Sequence, residues 1–247
     1  MFIDIENKNV NVKFINEYIK FPKEIQDKID AKWKSIILEN PTLWDGDISC
    51  VYDVEIEEEY INLFCKKSKY SHYLYQERVG LPKEYECRNI SAGSLIETTD
   101  NYFVICELDK NTSFPGVLQV PGGNIDKKDI NGDRIDYLKT IIRETMEEIN
   151  IDLNDKKIVK DYKTNLLFNA DEGIQPGTQI FAKVNLNLNK KELEKFFIDY
   201  YERLLQINGE LEIGKLHFLH KNNCLEELEK INNPKRPYLK GLLENNL

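Results

Sequence analysis

The sequence has no long apolar run and no cysteine or histidine motif typical of a metal centre. None of its apolar stretches approaches the roughly 18 residues of a membrane-spanning helix, and its first residues are not typical of a signal peptide. We therefore expect a cytoplasmic protein without membrane association. The five cysteines form no C-x-x-C pair, and the three histidines are too few for a zinc site, so reduced structural thiols are expected.

Arginine is scarce as well, and the overall charge is acidic. The chain of 247 residues has 34 Lys and Arg against 43 Asp and Glu, for a formal net charge of −9. Such a surface repels nucleic-acid phosphates, which excludes general nucleic-acid binding. With 41% hydrophobic and 11% aromatic residues, the composition also excludes a disordered chain. The length suffices for one domain with an added segment.

The first part of the chain is predicted to be an α+β extension over residues 1–88. Apolar residues from about Val12 to Glu39 recur at helical intervals, interrupted by Pro22, and residues 48–65 are typical of two strands around a polar turn. The nearest candidate for a boundary follows at Leu81-Pro82. The aromatic residues of this segment either stack on a nucleobase or pack in a core, of which the core is the commoner role: Trp33, Trp44, Tyr52, Tyr60, Tyr70, Tyr73 and Tyr75.

The remaining residues, 89–247, alternate between strand and helix patterns. Two strands at 90–97 and 102–108 are predicted to form a hairpin, and further strands are expected at about 158–168, 178–188 and 215–220. Helices are expected before Ile149, at about 190–206, and in one or two short C-terminal pieces. Strands that precede and follow helices predict an α+β fold with a covered sheet.

The helix that ends at Ile149 carries an unusual acidic pattern. Its apolar residues, from Ile135 to Ile149, are predicted to share one side, while Glu144, Glu147 and Glu148 share the opposite side. Like charges at these spacings destabilise a bare helix by a few tenths of a kcal/mol per pair. A hard divalent cation would offset that repulsion, and Arg143 is placed to brace a carboxylate. A solvated acidic helix has the same composition, so the helix alone leaves both interpretations open.

The residues before and within this helix resemble the Nudix box, G-x5-E-x7-R-E-U-x-E-E-x-G-U, where U is a bulky aliphatic residue. Pro121-Gly122-Gly123 precedes the helix, and Arg143-Glu144-Thr145-Met146-Glu147-Glu148-Ile149-Asn150-Ile151 closes it. The resemblance implies an α/β/α sandwich around a mixed sheet over residues 89–247. It further implies that Glu144, Glu147 and Glu148 bind Mg²⁺ or Mn²⁺, that Arg143 orients them, and that Gly122 and Gly123 let the backbone approach metal and phosphate.

Three positions depart from this pattern. Thr145 replaces an aliphatic residue, and its hydroxyl is expected to bond a carbonyl one turn back. Asn150 replaces the last glycine and is expected to adopt the left-handed conformation. The third departure is longer, because Arg143 follows Gly123 by 20 residues rather than 14, so that about six residues are inserted. The first Glu of the box has no clear counterpart, and Asp133 and Asp136 are the candidates.

The resemblance implies metal-dependent hydrolysis of a phosphoanhydride bond in a nucleoside diphosphate linked to another moiety. A small nucleotide derivative is the expected partner, with a lean towards a nucleoside diphosphate sugar, and a homodimer is one option. The general base in this family often precedes a late strand, which favours Glu210 or Glu212, with Asp171 and Glu172 as the second choice. The alternative is a non-catalytic module that binds a nucleotide or metabolite, which the displaced first acid favours.

Overall fold

The computed structural model describes residues 1–170 and 177–247. These residues form thirteen strands and six α-helices. The strands are β1 (Phe2–Asp4), β2 (Asn9–Tyr18), β3 (Asp47–Ile56), β4 (Tyr60–Lys69), β5 (Asn89–Glu97), β6 (Tyr102–Leu108), β7 (Leu118–Gln119), β8 (Gly122–Asn124), β9 (Ile130–Asn131), β10 (Arg134–Ile135), β11 (Val159–Ala170), β12 (Gly177–Leu186) and β13 (Ile213–His220). The helices are α1 (Lys23–Glu39), α2 (Tyr70–Arg78), α3 (Tyr137–Ile149), α4 (Lys190–Gln206), α5 (Cys224–Lys230) and α6 (Leu239–Glu244).

The sheet is mixed, and β5 lies at its junction. Strand β5 runs parallel to β12 and antiparallel to β3, β6 and β8. A second parallel pair joins β2 to β4, whereas β11 and β12 are antiparallel. The predicted hairpin of β5 and β6 is present, with Ile96 opposite Val104. The predicted fold class, α+β with a mixed sheet, is confirmed.

Helices cover both faces of the sheet around β5 and β6. Successive residues of a strand point to opposite faces, so that Val104 packs in one apolar cluster and Phe103 and Ile105 pack in another. The first cluster includes residues of α3 and α4, and the second includes residues of α5 and α6. The helix α3 therefore lies on one face of the sheet, and the loop after β8 leads into its N-terminal end.

The helix predicted from Val12 to Glu39 is wrong in its first part. Val12 and Phe14 are buried while the residues on either side of them are exposed, which is the period of a strand. This stretch forms β2, which pairs with β4, and the helix begins only at Lys23. Pro22 separates the two elements, because proline favours the position just before or within the first turn of a helix.

The N-terminal segment is bonded to the rest of the sheet at three places. Strand β1 pairs with β11, β2 pairs with β10, and β3 meets β5. The apolar cluster on the α3 face contains Ile61 and Leu63 of this segment together with Ile141 of α3. The division of the chain into two domains at residue 88 thus stays a prediction. The two parts share one apolar core.

All five cysteines are free and buried. No helix in the described ranges is long and apolar enough to cross a membrane.

We expect Ile61→Ala to lower the free energy of unfolding by about 2–5 kcal/mol, because a fully buried side chain is removed from the shared core. Urea unfolding followed by circular dichroism should show one transition that shifts as a whole. The control is Ile56→Ala, since Ile56 is 45% exposed and its removal leaves no cavity. If unfolding instead shows two transitions, and only one of them shifts in Ile61→Ala, residues 1–88 unfold independently.

Candidate active site

The ends of helix α3 are set by two polar residues. The Asp136 side chain accepts a hydrogen bond from the Lys139 backbone N–H at 3.3 Å and caps the first turn. At the other end, Asn150 has φ 59° and ψ 29°, the left-handed conformation that was predicted. The Thr145 hydroxyl bonds the Ile141 carbonyl at 2.7 Å, also as predicted, and lies 2.9 Å from the Ser94 hydroxyl of β5. Both departures within the helix therefore fit its structure.

Two of the three glutamates of α3 lie on its buried face. Glu144 is 8% exposed and Glu148 is 5% exposed, one turn apart, whereas Glu147 is exposed. The expectation that all three glutamates lie opposite the apolar side is therefore wrong. Met146, which was placed on the apolar side, is 43% exposed instead. A solvated acidic helix does not bury two carboxylates, so that interpretation is disfavoured.

Arg143 holds this cluster in place. Its Nη1 donates to the Glu144 carboxylate at 2.6 Å and to the Glu147 carboxylate at 3.0 Å. Its Nη2 donates to the carboxylate of Asp129 at 2.8 Å. Burial alone would lower the pKa of Arg143, but these carboxylates hold it above its usual value. The arginine thus braces the helix glutamates, as predicted, and joins them to a fourth acid.

That fourth acid, Asp129, occupies the place of the first Glu of the box. It follows Gly123 by six residues, which is the spacing G-x5-E. Asp129 is 2% exposed, and its Oδ2 accepts hydrogen bonds from Arg143, from the Thr140 hydroxyl at 2.9 Å and from the Asp126 backbone N–H at 3.0 Å. The two predicted candidates are wrong, because Asp133 is exposed and Asp136 caps α3.

The six inserted residues, 130–135, form a small hairpin after Asp129. Strands β9 and β10 pair in it around Gly132, whose φ of 63° favours glycine. The Asp136 N–H donates to the Asp129 carbonyl at 2.8 Å, so the chain returns to the point that it left. Counting forward from Gly123, rather than back from Arg143, is the sequence signal that identifies Asp129.

The two glycines are required by close contacts. The Gly122 N–H donates to the Glu148 carboxylate at 2.8 Å. A Cβ on Gly122 would lie 2.5 Å from the Ala92 carbonyl oxygen, and one on Gly123 would lie 2.6 Å from the Glu144 carboxyl carbon. Gly122 therefore excludes a side chain because the β5 backbone occupies the space, whereas a side chain at Gly123 would displace the Glu144 carboxylate.

Glu212, the predicted base, comes to the same cluster. It precedes β13, and although part of the residue is exposed, burial of its carboxyl and the charges of Glu147 and Glu210 raise its pKa. The charge of Glu212 in turn contributes to raising the pKa of Glu144 and of Glu148. The other candidates, Asp171 and Glu172, lie outside the described residues.

Negative charge is concentrated and partly buried at this site. Burial, followed by the charges of Glu212 and Glu147, raises the pKa of Glu144 to about 7, against the opposing effect of Arg143. Burial and the charges of Glu144 and Glu212 raise the pKa of Glu148 well above its usual value. Within residues 1–170 and 177–247, no group of three or more His, Cys, Asp or Glu side chains is arranged to hold a metal ion, because the carboxylates turn towards Arg143 and Gly122.

The acidic cluster lies in the wall of one large cavity of about 760 Å³. The opposite walls come from the N-terminal segment, through Trp44 and Tyr70, and from the C-terminal part, through Arg236. This volume is within the range of about 300–1,000 Å³ for small-molecule sites. Of the aromatic residues of the extension, Tyr73 is buried in a core, as the commoner role predicts, whereas Trp44 is 77% exposed at the cavity.

No family model matches the chain, and no curated protein matches it. Solved structures with a similar fold are Nudix proteins. An Ap4A hydrolase of C. elegans is 18% identical, with a TM-score of 0.40, over 64% of this chain and 94% of that one. The NUDIX domain of Shewanella oneidensis NrtR, complexed with ADP ribose, is 11% identical, with a TM-score of 0.42, over 70% and 94%. A NUDIX hydrolase from Alicyclobacillus acidocaldarius is 13% identical, with a TM-score of 0.42, over 64% and 90%. At these low values the likeness concerns the overall fold, not the site.

We expect Asp129→Ala to lower the free energy of unfolding by about 3 kcal/mol, because it removes one partner of a buried ion pair and leaves the Thr140 hydroxyl without its acceptor. The measurement is chemical denaturation at neutral pH. Asp133→Ala is the matched control, since Asp133 is exposed and contributes only its backbone carbonyl, to Phe14. Equal stability of the two variants would contradict the assignment of Asp129.

Proposed function

We propose that this protein is a metal-dependent hydrolase that cleaves a phosphoanhydride bond in a nucleoside diphosphate linked to another moiety. The observation that carries the proposal is the pair of buried carboxylates, Glu144 and Glu148, in the wall of a cavity large enough for such a substrate. Glu147 and Glu212 contribute further negative charge beside them. Buried charge without enough counter-charge is costly, so the arrangement favours a bound cation.

The chemistry of these side chains fits Mg²⁺ or Mn²⁺. Carboxylate oxygens are the ligands that such hard cations take, together with water and substrate phosphate. We propose Glu144, Glu147 and Glu148 as the ligands, each of which exchanges its present hydrogen bond or shares it with the ion. When bound, the metal would supply neutralisation of charge on the phosphate oxygens and a more acidic water.

The protein's own residues have three tasks in this proposal. The Gly122 N–H fixes the orientation of the Glu148 carboxylate, and Arg143 fixes those of Glu144 and Glu147. These fixed orientations avoid reorganisation of the carboxylates during the reaction. Glu212 accepts the proton of the attacking water, and its raised pKa makes it a stronger base than an ordinary carboxylate. Gly123, which lacks a side chain, leaves the Glu144 carboxylate the space that it occupies.

The proposed substrate is a small nucleotide derivative, with a nucleoside diphosphate sugar as the first choice. The cavity is bounded on one side by the acidic cluster and on another by aromatic residues of the N-terminal segment. A diphosphate on the first wall and a base or sugar on the second would use both. The acidic overall charge does not oppose this, because bound divalent cations reverse the local charge.

A binding module without catalysis was favoured only by the missing first acid of the box. Asp129 occupies that place and bonds Arg143, which removes the observation that supported the alternative. Binding of a nucleotide with no turnover in any divalent metal would restore it.

We expect Glu148→Gln to reduce kcat by at least about 100-fold while the fold is retained, because the amide removes a metal ligand but keeps an acceptor for the Gly122 N–H. The measurement is phosphate or nucleoside monophosphate release from a panel of nucleoside diphosphate derivatives with Mg²⁺ or Mn²⁺. Glu202→Gln, an exposed carboxylate of α4, is the control. Full activity of Glu148→Gln would exclude the proposed metal site.

For Glu212→Gln we expect a loss of about 100-fold in kcat with little change in KM, as for removal of a general base. Activity of the unchanged protein should rise with pH as Glu212, Glu144 and Glu148 lose their protons. In the variant this acidic limb should move to lower pH, because the charge of Glu212 no longer raises the pKa of the two helix glutamates. Glu194→Gln, an exposed carboxylate of α4, serves as the control. A pH profile that is the same in Glu212→Gln would assign the base to another residue.

A further inference from the structure

A second polar group lies in the same cavity, on the wall formed by the N-terminal segment. The side chain of Glu77, on α2, is only 4% exposed, and its Oε2 accepts no hydrogen bond. The nearest positive group is Nη1 of Arg236, 3.7 Å away. Both residues line the cavity. Buried carboxylates normally accept hydrogen bonds, so a buried oxygen without a donor at a cavity wall indicates a ligand that supplies one.

The arginine beside Glu77 is held by other contacts. Its guanidinium lies over the Phe114 ring, 4.5 Å from the ring centroid, and its backbone N–H donates to the Leu118 carbonyl at 3.0 Å. Burial raises the pKa of Glu77 to about 7, although the charge of Arg236 acts to lower it. The cavity therefore presents an unsatisfied acceptor and a fixed donor side by side.

We propose, on the basis of the function proposed above, that Glu77 and Arg236 form the subsite for a guanine base. Guanine has two adjacent N–H donor groups, N1 and the 2-amino group, next to a carbonyl. With Oε2 turned into the cavity, the Glu77 carboxylate accepts from both donors, and Arg236 donates to the carbonyl oxygen. Adenine has an acceptor where guanine has N1–H, and uracil has one donor between two carbonyls, so neither matches this edge.

The same cavity also offers an aromatic surface for the face of a base. Arg236 covers the Phe114 ring and Tyr73 is buried, but Trp44 lines the cavity beside Gly46. Trp44 is 77% exposed, which leaves an aromatic surface free at the cavity. Such a surface can stack on any base. Glu77 and Arg236 then select guanine over the other bases.

The decisive experiment compares substrates that differ in one group of the base. We would measure kcat/KM with Mg²⁺ for four nucleoside diphosphate glucoses that differ only in the base: those of guanosine, inosine, adenosine and uridine. Inosine lacks only the 2-amino group, and we expect guanosine to be preferred over it by about 10-fold and over adenosine and uridine by about 100-fold or more. Glu77→Gln should abolish the preference for guanosine over inosine, whereas Glu84→Gln, an exposed residue nearby in sequence, should keep it.

Calorimetric binding of GDP and IDP to the unchanged protein separates this inference from the proposed function. Tighter binding of GDP, without any turnover, would support the subsite while the proposed hydrolysis fails. Turnover that depends on Glu148 but is equal for all four bases would overturn the subsite and leave the hydrolase intact. The comparison of GDP with IDP needs no variant, so it decides the matter even where Glu77→Gln does not fold.

Discussion

The site depends on the burial of like-charged carboxylates around a single arginine. Glu144 and Glu148 lie one turn apart on the buried face of α3, and Asp129 approaches from the loop before it. Arg143 contacts three acids at once, which offsets part of the repulsion and fixes their geometry. Lys128 lies 3.8 Å from Glu147, whereas Glu148 bonds the Gly122 N–H and forms no ion pair within the described residues. A protein accepts that cost where a ligand repays it, and this is why the cluster carries the functional conclusion.

The motif could be read from the sequence because it is local. The contacts of Arg143 with Glu144 and Glu147, the hydrogen bond of the Thr145 hydroxyl and the left-handed Asn150 all follow from helix geometry, and the structure agrees with each. Local periodicity did not decide which side of α3 is buried, because the sheet and the loop after β8 determine that. It also failed at β2, where a parallel partner strand stabilises residues whose spacing resembles a helix.

The cavity could not be predicted from the sequence, because its walls come from distant parts of the chain. Glu77 and Arg236 are 159 positions apart in the numbering, and neither belongs to a recognisable motif. They meet because the N-terminal segment adds strands to the common sheet and packs α2 beside the C-terminal loop. Residues of the N-terminal segment thus line the same cavity as the acidic cluster, and in the proposed function both parts of the chain determine what the protein binds.

The hairpin at residues 130–135 has a consequence for how such proteins are recognised. The backbone hydrogen bond between Asp136 and Asp129 and the pairing of β9 with β10 close the hairpin at its base, so the chain leaves and re-enters the cluster at one point. Chains with such an insertion, like this one, can keep an acid beside the arginine. A pattern with a fixed gap between the first acid and the arginine will miss them, whereas a pattern with a variable gap at that one point will find them.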